Sequence, residues 1–135
     1  MTFTDTIKKV SESRFFDYRY QKYTNSVSLN GYLIVKPRGI DLIKGRHVVV
    51  FNLIQINNDN SYTYYPCQVY SKELQKQLME LKNVCLVNVL GRLTKNTRTI
   101  YAIQVEEMAI THEFVDKGME LLEIREHKSC ESEQD

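Results

Sequence analysis

The chain has 135 residues, 42% hydrophobic and 26% charged, with a formal net charge of +1. This length suits one domain with short extensions and a core that needs no metal or disulfide staple. No apolar run approaches the ~20 residues of a membrane span, and the start MTFTDTIKKV lacks a secretory apolar core, so a cytoplasmic protein is expected.

The charge is unevenly spread. Residues 112–135 hold eight acids and three bases, leaving fifteen bases against nine acids in the rest. A basic body with an acidic end suits an anionic partner better than the near-zero total suggests. The three cysteines have no CxxC spacing. Cys67 and Cys85 fall inside apolar runs and read as small buried hydrophobes in a reducing compartment.

Residues 1–24 read as an N-terminal extension. Phe3, Ile7 and Val10 have helical spacing, with Thr4 or Asp5 as the cap. Phe15 to Tyr23 interleave aromatics with Arg19 and Lys22. That pattern fits a nucleic-acid-binding arm or an arm that packs on the domain or on another subunit.

Residues 25–36 alternate with period two and predict a half-buried first strand, with a bulge or bend at Gly31. Residues 37–46 read as a connection, 47–56 as a second strand, and Asn57 to Asn60 as a turn. Residues 61–70 predict a third strand with Tyr62, Tyr64, Gln68 and Tyr70 on one face and Thr63, Tyr65, Cys67 and Val69 on the other. Pro66 makes that strand an edge or a distorted one. Residues 71–82 predict a helix with Ser71 as N-cap and an apolar stripe of Leu74, Leu78, Met79 and Leu81. Residues 83–110 predict a hairpin, apolar over 84–90 and 99–105, with a basic turn GRLTKNTR between. Residues 112–126 are a candidate C-terminal helix, and 127–135 read as an acidic disordered tail.

The order is therefore strand, strand, strand, helix, strand, strand. An all-β domain with minor α over residues 25–111, five strands with one helix between the third and fourth, is the plan of the OB-fold. This small Greek-key barrel binds oligonucleotides or oligosaccharides on one face.

Within residues 25–110 the sequence resembles the bacterial and phage single-stranded DNA-binding protein family. The family pattern N-x-V-x-L-x-G-x-L is matched by Asn25, Val27, Leu29, Gly31 and Leu33. The second strand carries Phe51 and Leu53; Tyr70, Ser71 and Lys72 lead into the helix; and Val89, Leu90, Gly91, Arg92 and Leu93 match the family's V-x-G-R-L. Glu106, Glu107 and Met108 close the fifth strand as the family's acid pair does. Three departures stand out. The hairpin loops that carry DNA contacts in the family are short here, and its stacking tryptophans are absent, with Tyr64 at the corresponding third-strand position and Tyr70 as the terminal aromatic. The end, ESEQD, lacks the family's acidic tip closed by Pro and Phe. The resemblance implies a divergent member, phage- or plasmid-encoded, that forms homo-oligomers.

The expected function is sequence-independent binding of single-stranded DNA, or of RNA, in replication, recombination or transfer. The expected site is an aromatic face (Tyr32, Tyr62, Tyr64, Tyr70, with Gln68) rimmed by Lys36, Arg38, Arg46, Arg92, Lys95 and Arg98. The alternative is an OB-fold protein-interaction module of a replication or DNA-transfer complex, without appreciable DNA binding. Catalysis, metals and cofactors are not expected. His47, His112 and His127 are far apart, the P-loop and nucleophile-elbow patterns are missing, and Glu106 and Glu107 alternate faces of a strand.

Overall fold

The computed structural model describes residues 2–12, 25–95 and 101–123, apart from the side chain of Ile43. Its elements are α1 (Phe3–Glu12), β1 (Val27–Leu33), β2 (Arg38–Asp41), β3 (His47–Ile56), β4 (Tyr62–Val69), α2 (Lys72–Met79), β5 (Cys85–Lys95) and β6 (Tyr101–Glu113). The strands run in the order β1-β5-β6-β4-β3-β2, and β1 also pairs with β3 through Tyr32 and Ile54. That last contact closes a five-stranded barrel, with β2 as an additional strand on its edge. The fold is the OB-fold expected from the strand and helix order. Among the described residues no helix is long and apolar enough to cross a membrane.

Alternation builds the barrel. Leu33, Val49, Leu53, Val69, Val87 and Val89 point inward and are fully buried, while their neighbours in sequence, Val48 and Ile54 apart, are half-buried or exposed. Each strand of the barrel, though not the added β2, thus buries one row of mainly aliphatic chains, each contributing about 1.5–3 kcal/mol. Helix α2 adds Leu78 to this core, and Leu81 follows just beyond its end. The helix is capped as expected by Ser71, whose hydroxyl accepts from the Leu74 N–H at 3.4 Å. Met79, counted in the apolar stripe, instead lies exposed.

Asn25 shows why the first strand starts with asparagine. Its side-chain amide donates to the Leu93 carbonyl and accepts from the Leu93 N–H, both at 2.8 Å. The side chain copies a ladder pair and ties the start of β1 to β5.

Several expectations need correction. Of the bulge or bend expected at Gly31, the bulge is excluded, since the β1–β5 register runs unbroken from Val27 to Leu33. Gly31 is a point of close approach: a Cβ there would lie 3.1 Å from Leu53 Cβ and 3.2 Å from the Ile54 carbonyl oxygen. The bulges are in β6 instead, where Thr111 is the extra residue opposite Leu86/Val87 and Glu106 the extra residue opposite Leu90/Gly91. Gly91 to Lys95 belong to β5 and not to the turn, and the hairpin connection 96–100 lies outside the described residues. Residues 38–41 form a strand where a connection was expected. They pair with Val50 to His47, and the His47 and Asp41 side chains meet at 2.8 Å.

The N-terminal helix is real, but its cap is Thr2. Thr2 Oγ1 accepts from the Asp5 N–H while Asp5 Oδ2 accepts from the Thr2 N–H, a reciprocal capping box. The candidate C-terminal helix is contradicted over residues 112–123. There β6 runs on to Glu113, a turn follows with Gly118 at φ 62°, and the chain straps across the barrel. Lys36 N–H donates to the Leu122 carbonyl at 2.7 Å, and Val84 N–H to the Met119 carbonyl at 2.7 Å. Leu121 is pinned into the core by this strap, which leaves Val115, Met119 and Leu122 outside. Residues 124–126, the arm at Phe15 to Tyr23 and the tail 127–135 lie outside the described residues.

Burial pushes the Cys67 thiol up to about 12. Burial, then the nearby Glu113 carboxylate, pushes Cys85 up to about 11. Both are protonated at neutral pH and act as core hydrophobes rather than nucleophiles.

Candidate nucleic-acid interface

The outer surface of the sheet collects most of the expected site. In β4, Cys67 and Val69 face the core, so Tyr62, Tyr64, Pro66 and Gln68 face out. Tyr62 and Tyr64 are 60% and 58% exposed, unusually open for aromatic side chains in the middle of a sheet. Across β3 their partners are Ile56 and Ile54, and Ile54 in turn faces Tyr32 on β1. Tyr32, Ile54 and Tyr64 therefore form one row over three strands. Tyr32 is half-buried, its ring 6.3 Å from that of Phe114, which itself meets His112 edge-on at 4.5 Å.

β4 pairs with β6 in parallel at Cys67 and Gln68, so among the described residues Pro66 stands where β4 is still unpaired on that side. A proline without an N–H fits there at no cost in ladder hydrogen bonds.

A second row is polar. Reading partners across the sheet gives Arg92, Gln104, Gln68, Val50 and Arg38. It spans β5, β6, β4, β3 and β2, about 19 Å at ordinary strand spacing. The two arginines are exposed at its ends, and the glutamines and Val50 are half-buried between them. Guanidinium groups at both ends and amides in the middle can grip successive phosphates of an anionic chain. Gln104 and Val50 were missed at the sequence level. Only the register brings them beside Gln68: the antiparallel β3–β4 pairing places Val50 there and the parallel β4–β6 pairing places Gln104, while the shift at Leu90/Gly91 sets Arg92 opposite Gln104.

One step beyond Gln68 stands Tyr70, half-buried. The guanidinium carbon of Arg46 lies 4.6 Å over its ring centre, a cation–π contact. Tyr70 therefore has one face already occupied, and Tyr62 and Tyr64 are the open rings. Three expected residues stand apart. Lys36 pairs with Glu123 at 3.6 Å and lines a cavity of about 270 Å³ with Leu81, Lys82 and Glu120, beside the strap. Lys95 sits at the hairpin end opposite Tyr101, itself 60% exposed and not foreseen as a site residue. Arg98 lies outside the described residues. Among the described residues no cluster of three His, Cys, Asp or Glu could hold a metal.

No protein-family model and no curated protein matches the sequence. Solved structures do match. The mitochondrial single-stranded DNA-binding protein of S. cerevisiae superposes with a TM-score of 0.61 at 13% identity, over 67% of this chain and 97% of that one. The single-stranded DNA-binding protein of Thermus aquaticus, as a deletion mutant, gives 0.57 at 22% identity, over 70% of this chain and 44% of that one. The Plasmodium falciparum protein, in complex with single-stranded DNA, gives 0.53 at 18% identity, over 66% of this chain and 96% of that one. The chain thus has the OB-fold of the single-stranded DNA-binding proteins.

Proposed function

We propose that the protein binds single-stranded DNA, largely without regard to sequence, and protects exposed strands during replication, recombination or transfer. The observation that carries this reading is the cross-strand row from Arg92 through Gln104 and Gln68 to Arg38, on the same outer face as the open rings of Tyr62 and Tyr64. Arginines engage the backbone, and the rings stack on bases whatever their identity. Likeness to three single-stranded DNA-binding proteins of the same fold supports it. Self-association is part of the same proposal, as the sequence resemblance implies.

The row makes a specific test possible. Each phosphate contact on a single strand contributes a slope of about −0.7 to log K against log salt. Replacing Arg38 and Arg92 by alanine together is expected to flatten that slope by about 1.4 in an oligo-dT titration. A slope equal to the parent's would remove these arginines from the interface.

A further inference from the structure

On the outer surface, where β1 meets β3, lies an open depression of about 300 Å³ walled by Asn30, Tyr32, Ile54, Gln55, Ile56 and Leu86. Its volume is at the lower end for a ligand site. It adjoins the tyrosine strip directly, because Ile54 and Ile56 are the cross-strand partners of Tyr64 and Tyr62. Two amides lie at its edge in fixed orientations. Gln55 Nε2 donates to the Asn30 carbonyl at 2.9 Å, which leaves Gln55 Oε1 as an acceptor without a partner among the described residues. Asn30 Oδ1 accepts from Asn88 Nδ2 at 2.8 Å, which leaves the Asn30 amide N–H groups as donors.

We propose that this depression takes one unstacked thymine base of the bound strand. The inference rests on the single-stranded DNA reading and sharpens it at one position of an otherwise sequence-tolerant site. A donor beside an acceptor matches the O4 and N3–H of thymine, but other bases also present such a pair. The apolar wall makes the choice. Ile56 and Leu86, beside the largely buried Ile54, offer aliphatic surface, and thymine alone among the DNA bases carries a methyl group to meet it. Tyr32 and Tyr64, in the same cross-strand row, flank the seam with rings for the inserted base or its neighbour.

The test compares oligo-dT with oligo-dU of equal length, which differ only in that methyl. The parent is expected to bind oligo-dT about fourfold more tightly, the worth of burying one methyl-sized group. Ile56→Ser should bring the ratio close to one, and Ile56→Ala should repeat the result if the serine variant melts early. Ile56 is 55% exposed, so neither change opens the core. Arg38→Ala should weaken both oligomers equally and keep the ratio. A parent ratio near one, or a ratio that survives both Ile56 variants, overturns the thymine site while leaving single-strand binding intact. No binding of either oligomer at low salt overturns both readings.

Discussion

Replacing Tyr62 and Tyr64 together by alanine is expected to weaken oligo-dT binding by about 30-fold or more. Each stacked ring contributes roughly 1–3 kcal/mol per base, and 2 kcal/mol is already about 30-fold. The fold should survive. Both rings are more than half exposed, so each change costs at most about 1 kcal/mol of strand preference. Fluorescence anisotropy gives the affinity and a circular-dichroism melt gives the stability. The competing role for exposed tyrosines is a subunit interface. In that case the double variant would change the mass of the protein in solution and leave the affinity per subunit unaltered. Unchanged affinity and unchanged mass would move the site to the aromatic and basic arm at Phe15 to Tyr23. Tyr70 is the weaker choice for such a test, since Arg46 already covers one side of its ring.

Gly91→Ala is expected to be the most damaging single methyl in the barrel. A Cβ at that position would stand 2.0 Å from the Gln104 carbonyl oxygen, 2.9 Å from its carbon and 3.1 Å from Val105 Cα. All three are backbone atoms of the paired strand, so no side chain can rotate away. β5 and β6 would have to separate at the bulge opposite Leu90 and Gly91. A loss of about 3 kcal/mol or more is expected, in the range reserved for overpacking of a closed core. Gly31→Ala is the control. Its added Cβ meets Leu53 Cβ at 3.1 Å and the Ile54 oxygen at 3.2 Å, contacts that a shift of a few tenths of an ångström relieves. Its cost should be about 1–2 kcal/mol. Denaturant unfolding ranks the two, and equal losses would contradict the placement of the bulge. Gly91→Ala should also displace Arg92 and so disturb the polar row.

The barrel was legible because one face of each main strand is buried. Residues 47–56 coincide with β3, and the facing pattern of Tyr62, Tyr64 and Gln68 against Cys67 and Val69 is the one alternation predicts. β2 was not legible. Its four residues are all exposed, and Gly39 and the preceding Pro37 read as a connection. Only pairing with the edge of β3 makes them a strand. The segment after Glu113 misled in the opposite way. Its apolar residues have helical spacing, but Gly118 adopts a positive φ and the backbone hydrogen bonds go to Ile34, Lys36, Lys82 and Val84 instead. The site was legible one strand at a time. Tyr62, Tyr64, Gln68, Arg38 and Arg92 could each be named from periodicity or motif. That Arg38, Gln68 and Arg92 share one row depends on a parallel pairing and a bulge, which no local pattern encodes. Lys36 carried the same local signature as the arginines, and tertiary contact with Glu123 placed it elsewhere.

The central claim is that this outer face holds a single DNA strand. It is tested most directly by titrating a fluorescent oligo-dT with the whole 135-residue chain at low and at high salt, with duplex DNA of equal length as competitor. The expected result is saturable binding at low salt that weakens steeply as salt rises and resists the duplex. No binding at low salt, or equal displacement by duplex, would contradict it.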